Sequence, residues 1–270
     1  MRIGVTIGLN RDVDERFTEL RAMGMDGCQL VSWDESLLTD DMAEMVNRAA
    51  KAHGVHISAF WCGWPGPVTW DFYEGQLTLG LVPAAYRFQR VQTLLKGSDF
   101  ARKLGVKHLV THVGYLSESP YAPEHQEVVT AVRHVAKRCA QNGQCFLFET
   151  GQETPVTLRR VIEDIGLDNV GINLDPANLL MYGKGNPCDA LGVFGKYVMG
   201  VHCKDGAYPT DGRMLGEEKP LGEGMVDFPK LIGLLKALGY SGDYTIEREI
   251  SGEEQKRDIL KAKATLEALI

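Results

Sequence analysis

The chain has 270 residues, of which 44% are hydrophobic and 24% are charged, a composition typical of globular proteins and not of disordered or fibrous ones. This length allows either one α/β barrel of roughly 250 residues or two ordinary domains. The formal charge of -7, together with the lack of any long run of Lys and Arg, counts against binding to nucleic acid.

The cysteines and the hydropathy pattern bear on the cellular compartment. None of the six cysteines forms a Cys-x-x-Cys pair, which favours buried, reduced thiols. The first apolar run is too short for a secretory signal, and no stretch approaches the roughly 18 apolar residues of a membrane helix. We therefore expect a cytoplasmic protein that has no membrane partner.

Short apolar runs alternate with longer amphipathic segments from one end of the chain to the other. Runs with a continuous apolar centre are typical of strands that are covered on both faces. The predicted strands are residues 2–9, 27–33, 55–62, 108–114, 145–150, 170–175, 198–204 and 244–249. Between them the sequence predicts eight helices, the last opened by a capping box of Ser251 and Glu254.

Helix boundaries agree with this alternation. Thr154 and Asn186 each precede a proline, as capping residues do at the start of a helix. Glycine follows six of the helical segments, where a left-handed residue is expected; these are Gly24, Gly54, Gly105, Gly143, Gly166 and Gly239.

Eight consecutive strand–helix units predict a parallel sheet that closes into a single (β/α)8 TIM barrel spanning residues 1–270. An open, doubly wound sheet is the alternative, but no Gly-x-Gly-x-x-Gly motif follows the first strand. Two segments, 63–83 and 207–226, are too long for ordinary connections. We expect both to be loops over the C-terminal face of the barrel.

Ionisable residues close several of the predicted strands. Glu149, Asp175, His202 and Glu247 end the fifth to eighth strands, and His112 ends the fourth. In a barrel these positions converge above the axis, where three carboxylates would repel one another unless a cation held them. One divalent metal ion is therefore expected, with Mn²⁺ as the first choice and Mg²⁺, Co²⁺ or Zn²⁺ as alternatives.

Short motifs distributed along the chain point to a family. They are Phe-Glu-Thr at 148–150, Asn-Leu-Asp-Pro at 173–176, Val-His-Cys-Lys-Asp at 201–205, Leu-Gly-Glu-Gly at 221–224, Val-Asp-Phe at 226–228 and Tyr-Thr-Ile-Glu at 244–247. On these residues the chain resembles the sugar phosphate isomerase/epimerase superfamily of xylose isomerase-like TIM barrels, to which ketose 3-epimerases and hydroxypyruvate isomerases are related.

The resemblance implies a reaction and its machinery. Glu149, Asp175, His202 and Glu247 would be the metal ligands, and the two glutamates would also be the catalytic acid/base pair. A metal bound to a carbonyl and its neighbouring hydroxyl stabilises an enediolate, so that the glutamates can move a proton. The expected activity is that of a metal-dependent isomerase or epimerase of a keto-sugar or related small carbohydrate.

Substrate contacts are less well defined by the resemblance. Asn178 stands where ketose epimerases often carry a histidine, and Glu153 lies closer to Glu149 than the second glutamate of those enzymes does. Helix capping, surface charge and core packing are the competing interpretations of such residues. The candidate substrate-binding residues are His112, Asn178, Lys204, Arg213, Glu153, Trp33 and Trp61.

Other functions remain open at this point. The same site could serve a metal-dependent lyase or hydratase that acts on a 3-keto sugar or glycoside. Apurinic endonucleases share the fold, but Asn178 replaces one of their histidine ligands and no Asp-x-His pair follows His202 at the required distance. Non-catalytic sugar binding is a further alternative. Related barrels often form dimers or tetramers, so a homo-oligomer is an open alternative to a monomer.

Overall fold

Eight parallel strands close into a barrel in the computed structural model, which describes residues 1–270. The barrel strands are β1 (Ile3–Gly8), β2 (Gly27–Ser32), β3 (His56–Cys62), β4 (His108–Thr111), β5 (Cys145–Glu149), β6 (Val170–Leu174), β7 (Val198–Cys203) and β10 (Tyr244–Ile246). Their order around the barrel is β1-β10-β7-β6-β5-β4-β3-β2, so each strand pairs with its neighbours in the chain. The predicted (β/α)8 barrel is confirmed.

Helices follow the strands and pack around the barrel. The α-helices are α1 (Val13–Ala22), α2 (Asp40–His53), α3 (Gly75–Thr78), α4 (Ala84–Lys103), α5 (Pro123–Gln141), α6 (Pro155–Ile165), α7 (Pro176–Met181), α8 (Pro187–Phe194), α9 (Phe228–Ala237) and α10 (Glu253–Leu269). Short 3₁₀ turns cover Glu35–Leu37 and Gly195–Tyr197. The predicted number of eight was too low, because β3 and β6 are each followed by two α-helices.

Most of the predicted helix boundaries are present. The side chain of Thr154 accepts a hydrogen bond from the backbone of Thr157, and Asn186 caps α8 in the same way. All six of the predicted glycine helix ends have positive φ angles. The capping box of Ser251 is wrong: Gly252 precedes α10 with φ 86°, and no side chain caps this helix.

The core lies mainly between the barrel strands and the surrounding helices, where 60 buried residues form one continuous cluster. A second cluster lies on the alternate face of the strands, as expected when successive side chains point to opposite faces. Its buried members are Ala59, Trp61, Trp64, Leu79, Val110 and Leu147. All six cysteines are unpaired, and five of them are buried, as expected from the apolar runs in which they stand. No helix has the length and apolar character needed to cross a membrane.

The 63–83 loop is held in place by one buried arginine. Arg90 lies on α4 and is fully buried, and its guanidinium donates hydrogen bonds to four carbonyl oxygens of the loop. The acceptors are those of Pro65, Pro67, Thr78 and Gly80. Because five guanidinium N–H donors are arranged in a fixed plane, one arginine can fix several turns of backbone together.

The 207–226 loop is tied to the end of β7. Two-residue strands β8 (Asp205–Gly206) and β9 (Glu218–Lys219) pair antiparallel at its base. Each long loop contributes residues to the cavity that lies above the C-terminal ends of the strands.

Candidate functional site

The four ionisable residues predicted at the strand ends come together in one group. Glu149 lies on β5, Asp175 directly after β6, His202 on β7 and Glu247 directly after β10. These are four neighbouring strands of the barrel, and the two glutamates stand at the ends of the arc. One donor atom from each residue lies within 4.8 Å of the others. The arrangement can therefore surround a single small cation.

His202 faces the three carboxylates with one ring nitrogen. Its Nδ1 lies 3.5 Å from Glu149 Oε1, 3.8 Å from Asp175 Oδ2 and 3.2 Å from Glu247 Oε2. The other nitrogen, Nε2, lies 2.6 Å from the amide oxygen of Gln29 on β2. Since an amide oxygen only accepts, Nε2 donates to Gln29, and Nδ1 is the nitrogen that faces the carboxylates, where the neutral ring would bind a metal.

Asp175 divides its two oxygens between a structural contact and the site. Oδ1 accepts a hydrogen bond of 2.8 Å from the backbone N–H of Asn178, so that Asp175 caps α7. Oδ2 is buried without any hydrogen-bond partner, and Nδ1 of His202 is also buried without one. Unpartnered buried polar atoms are costly, and a bound cation would satisfy both. The residues present therefore fit a divalent metal.

Lys204 supplies a positive charge beside the same carboxylates. Its Nζ, which is buried, lies 3.2 Å from Glu247 Oε2, 3.7 Å from Asp175 Oδ2 and 3.0 Å from Glu249 Oε2. Burial lowers the pKa of Lys204, but these carboxylates outweigh it and raise the pKa well above its ordinary value. With Lys204 charged, one divalent cation would neutralise the carboxylates of Glu149, Asp175 and Glu247.

Both glutamates of the group are held in the ionised form. Burial raises the pKa of Glu247, yet Lys204 and His202 more than offset it, and the pKa lies well below the ordinary value. The pKa of Glu149 is also lowered, since the imidazoles of His202 and His112 outweigh desolvation. An ionised carboxylate can bind a cation and can accept a proton, so each glutamate is suited to both roles.

Three predicted substrate contacts surround Glu149. The indole N–H of Trp61 donates to Glu149 Oε2, and the amide of Asn178 lies 3.5 Å from Oε1. His112 Nε2 lies 3.4 Å from the same oxygen. Asn178 also accepts from Lys204 at 3.4 Å, so that it connects the two sides of the group.

A cavity of about 610 Å³ opens above these residues. It lies within the range of roughly 300–1,000 Å³ that is usual for small-molecule sites. Of the predicted site residues, those that line it are Glu149, Glu247, His112, Asn178, Lys204, Trp33 and Trp61. Asp175 and His202 are fully buried beneath its floor.

Two predicted substrate contacts lie away from the cavity wall. Arg213 packs its guanidinium 4.7 Å from the ring centre of Tyr73, in the neighbouring loop. Glu153 is buried, and burial raises the pKa of its carboxyl to about 8. Neither is among the residues that line the cavity. The sequence places Glu153 shortly after β5 and Arg213 in the 207–226 loop, but it does not show the path that the chain takes there.

Several residues of the site and of its cavity were missed by the sequence interpretation. Gln29 could have been noticed, because it is a polar residue in the middle of a buried strand. Trp70 belongs to the aromatic 63–83 loop, which indicated a cover but not which ring would point inward. The remaining wall residues carried no signal of their own; they include Met181, Tyr182, Leu215, Arg248, Glu249 and Gln255.

Comparisons with known proteins find similarity to xylose isomerase-like TIM barrels. A family model described as xylose isomerase-like TIM barrel matches residues 17–269. The chain is similar to a xylose isomerase domain protein from Planctomyces limnophilus, with 32% identity over 99% of this chain and 96% of that one, at a TM-score of 0.93.

More distant structures share the fold. A D-tagatose 3-epimerase-like protein is 21% identical over 100% of this chain and 97% of that one, with a TM-score of 0.76. The 3-keto-D-glucoside 4-epimerase of E. coli is 20% identical over 99% of each chain, with a TM-score of 0.73. No curated protein sequence matches significantly.

Proposed function

The chain belongs to the xylose isomerase-like TIM barrel family, and from this premise we propose that it is a metal-dependent isomerase or epimerase of a keto-sugar or related small carbohydrate. The reaction would move a proton at the carbon next to a carbonyl group. Glu149 and Glu247 are the proposed acid/base pair, and with Asp175 and His202 they are the proposed metal ligands.

One observation carries the proposal. The donor atoms of the four residues lie within 4.8 Å of one another at the floor of a cavity large enough for a sugar. Asp175 Oδ2 and His202 Nδ1 are buried among charged groups, yet neither has a hydrogen-bond partner, which is unusual for buried polar atoms. A cation site that opens to a cavity explains both.

A divalent ion bound here would polarise the sugar carbonyl and stabilise the negative charge that develops when the neighbouring carbon loses its proton. Mn²⁺ is our first choice for that ion, because the ligand set has three carboxylates and one imidazole.

The protein supplies the proton transfer and the orientation of the sugar. Glu247, kept ionised beside Lys204, is the base for one face of the substrate. Glu149, at the opposite end of the arc, would exchange a proton on the other face. Lys204, Asn178 and His112 lie close enough to these carboxylates to hydrogen-bond the hydroxyl groups of a sugar held between them.

Solvent exchange tests the proposal. The Mn²⁺-loaded protein is incubated in D₂O with a panel of ketoses, and the products are analysed by NMR and mass spectrometry. We expect deuterium at the carbon next to the carbonyl and an otherwise unchanged formula. Loss of water or of a leaving group would instead identify a lyase.

Matched variants connect the exchange to the site. Glu247→Gln removes the proposed base and should reduce exchange by at least about a hundredfold. Glu254→Gln, an equivalent change at an exposed position on α10, is the control and should leave the rate unchanged. The proposal is wrong if no keto-sugar exchanges, either free or as a glycoside, or if both variants behave alike.

A further inference from the structure

All four tryptophans of the chain gather on one side of the cavity. The ring centres of Trp33 lie 4.9 Å from Trp61, 5.2 Å from Trp64 and 6.2 Å from Trp70. Trp61 and Trp64 are buried, whereas Trp33 is 45% exposed and Trp70 is 40% exposed. Both exposed rings line the cavity. Large aromatic surfaces that remain open inside a cavity mark a place where a ligand packs.

The rings differ in how they contact the candidate metal centre. Trp61 donates a hydrogen bond to Glu149, so it lies directly beside the proposed ligands. His112 also contacts Glu149, and the ring centre of Trp70 lies 5.4 Å from that of His112. Trp33 and Trp70 are therefore one ring further out than the groups that would touch the reacting sugar.

Trp70 is held in place by the fixed backbone of its loop. Trp70 belongs to the 63–83 loop, whose backbone is fixed by the four hydrogen bonds of the buried Arg90. Tyr115 adds a hydrogen bond of 2.8 Å to the carbonyl of Asp71, next to Trp70 in the chain. A rigid aromatic surface binds a flat or apolar ring face with little loss of conformational entropy.

We propose that Trp33 and Trp70 form a second subsite, for the group attached to the reacting sugar, and that the substrate is a glycoside. The inference rests on the proposed function and narrows its substrate class. The same cavity is also lined by the polar side chains of Arg248, Glu249 and Gln255, which suit the hydroxyl groups of a bound sugar ring.

The chemistry of a glycoside then restricts where the carbonyl can be. The anomeric carbon of a glycoside is an acetal carbon, so the ring cannot open to give a free carbonyl there. The proton transfer proposed for Glu149 and Glu247 needs a carbonyl beside the reacting C–H bond. The substrate must therefore carry its oxo group on another ring carbon, and the outer group stays attached while the proton moves.

Binding of an unreactive pair of ligands tests the subsite without turnover. Phenyl β-D-glucopyranoside and methyl β-D-glucopyranoside differ only in the outer group, and isothermal titration measures their affinities for the Mn²⁺-saturated protein. We expect the phenyl glycoside to bind roughly tenfold more tightly. Trp70→Ala and the milder Trp70→Leu should bring this ratio close to one.

Phe88→Ala is the matched control, since Phe88 is a 79% exposed aromatic on α4 that does not line the cavity. It should retain the wild-type ratio. The inference is overturned if the wild-type protein shows no preference for the phenyl glycoside, or if Trp70→Ala preserves it. A change in sedimentation mass in Trp70→Ala with an unchanged ratio would also overturn it, because the two rings would then be an interface between copies.

Solvent exchange separates this inference from the proposed function. Phenyl 3-keto-β-D-glucopyranoside is compared with 3-keto-D-glucose in D₂O, and the glycoside should exchange with the higher kcat/KM. If both exchange equally, the subsite is wrong and the proposed function stands. If neither ketone exchanges while the Trp70-dependent phenyl preference persists, the proposed function is wrong and the subsite stands as a glycoside-binding site.

Discussion

The contact between Gln29 and His202 determines which ring nitrogen of His202 faces the candidate metal centre. Gln29 is 1% exposed, His202 is fully buried, and no other partner is present for Nε2. Groups that hold a ligating histidine from behind raise its basicity and typically contribute about 10- to 100-fold to metal affinity. Gln29→Leu should therefore weaken Mn²⁺ binding by about that factor while the barrel remains folded.

Competition titration measures the affinity, and nitrogen NMR of the His202 ring reports which nitrogen carries the proton. Gln29→Glu keeps an acceptor at the same distance and should retain more of the affinity than Gln29→Leu. Equal Mn²⁺ affinity in the wild-type protein and in Gln29→Leu would contradict the assigned role.

The convergence of Glu149, Asp175, His202 and Glu247 could be predicted from sequence, but Gln29 could not be assigned a partner. Each of the four ends a strand, and in a parallel barrel all strand ends of one kind meet at the same face. The contact between Gln29 and His202 depends instead on the closure of the barrel, which brings β2 and β7 to opposite sides of one interior. Their separation of 173 residues leaves no local pattern to detect.

At the scale of elements, Asp205 determines the course of the 207–226 loop. Its buried carboxylate accepts hydrogen bonds of 2.8–3.0 Å from four backbone N–H groups. A Cβ atom at Gly224 would lie 2.2 Å from Asp205 Oδ1, which explains why glycine is required there. The donors are Gly206, Gly222, Gly224 and Val226.

Replacement of Asp205 should therefore release the loop. Hydrogen bonds to a charged group contribute about 1.5–3 kcal/mol each, and the loss of several buried ones is rarely additive. Asp205→Ala should lower the free energy of unfolding by about 3 kcal/mol or more, and should increase hydrogen exchange across residues 207–226. Denaturant titration and exchange mass spectrometry measure the two effects.

Asp227→Ala provides the comparison. Asp227 caps α9 through one exposed hydrogen bond to the backbone of Lys230, so its loss should cost only about 1 kcal/mol. If the two substitutions destabilise the protein equally, the carboxylate of Asp205 does not organise the loop.

The same loop shows why sequence reasoning placed Arg213 in the site. The alternation of apolar runs identifies strands and helices, because burial repeats with a fixed period in them. The 207–226 loop has no such period, and its path follows from Asp205 and the β8–β9 pair. Arg213 is directed to Tyr73 by that path, not to the cavity.

For the molecule as a whole, the sequence charge of -7 includes the three carboxylates of the candidate metal centre. A ligand that binds only the folded state stabilises it by RT ln(1 + [L]/Kd), or about 2.7 kcal/mol at one hundred times Kd. For a chain of this size each kcal/mol raises Tm by roughly 2 °C. Saturation of the metal-free protein with Mn²⁺ should therefore raise Tm by about 5 °C, and a chelator should reverse the change.

Asp175→Asn separates this effect from a general effect of cations on an acidic protein. Asparagine keeps the oxygen that caps α7, but it removes the charge of the unpartnered oxygen that faces His202. The barrel should fold, and most of the Mn²⁺-dependent rise in Tm should disappear. Differential scanning calorimetry of both proteins, with and without Mn²⁺, measures this. An equal rise in the variant would show that the ion stabilises the chain elsewhere, and that the four convergent residues are not its binding site.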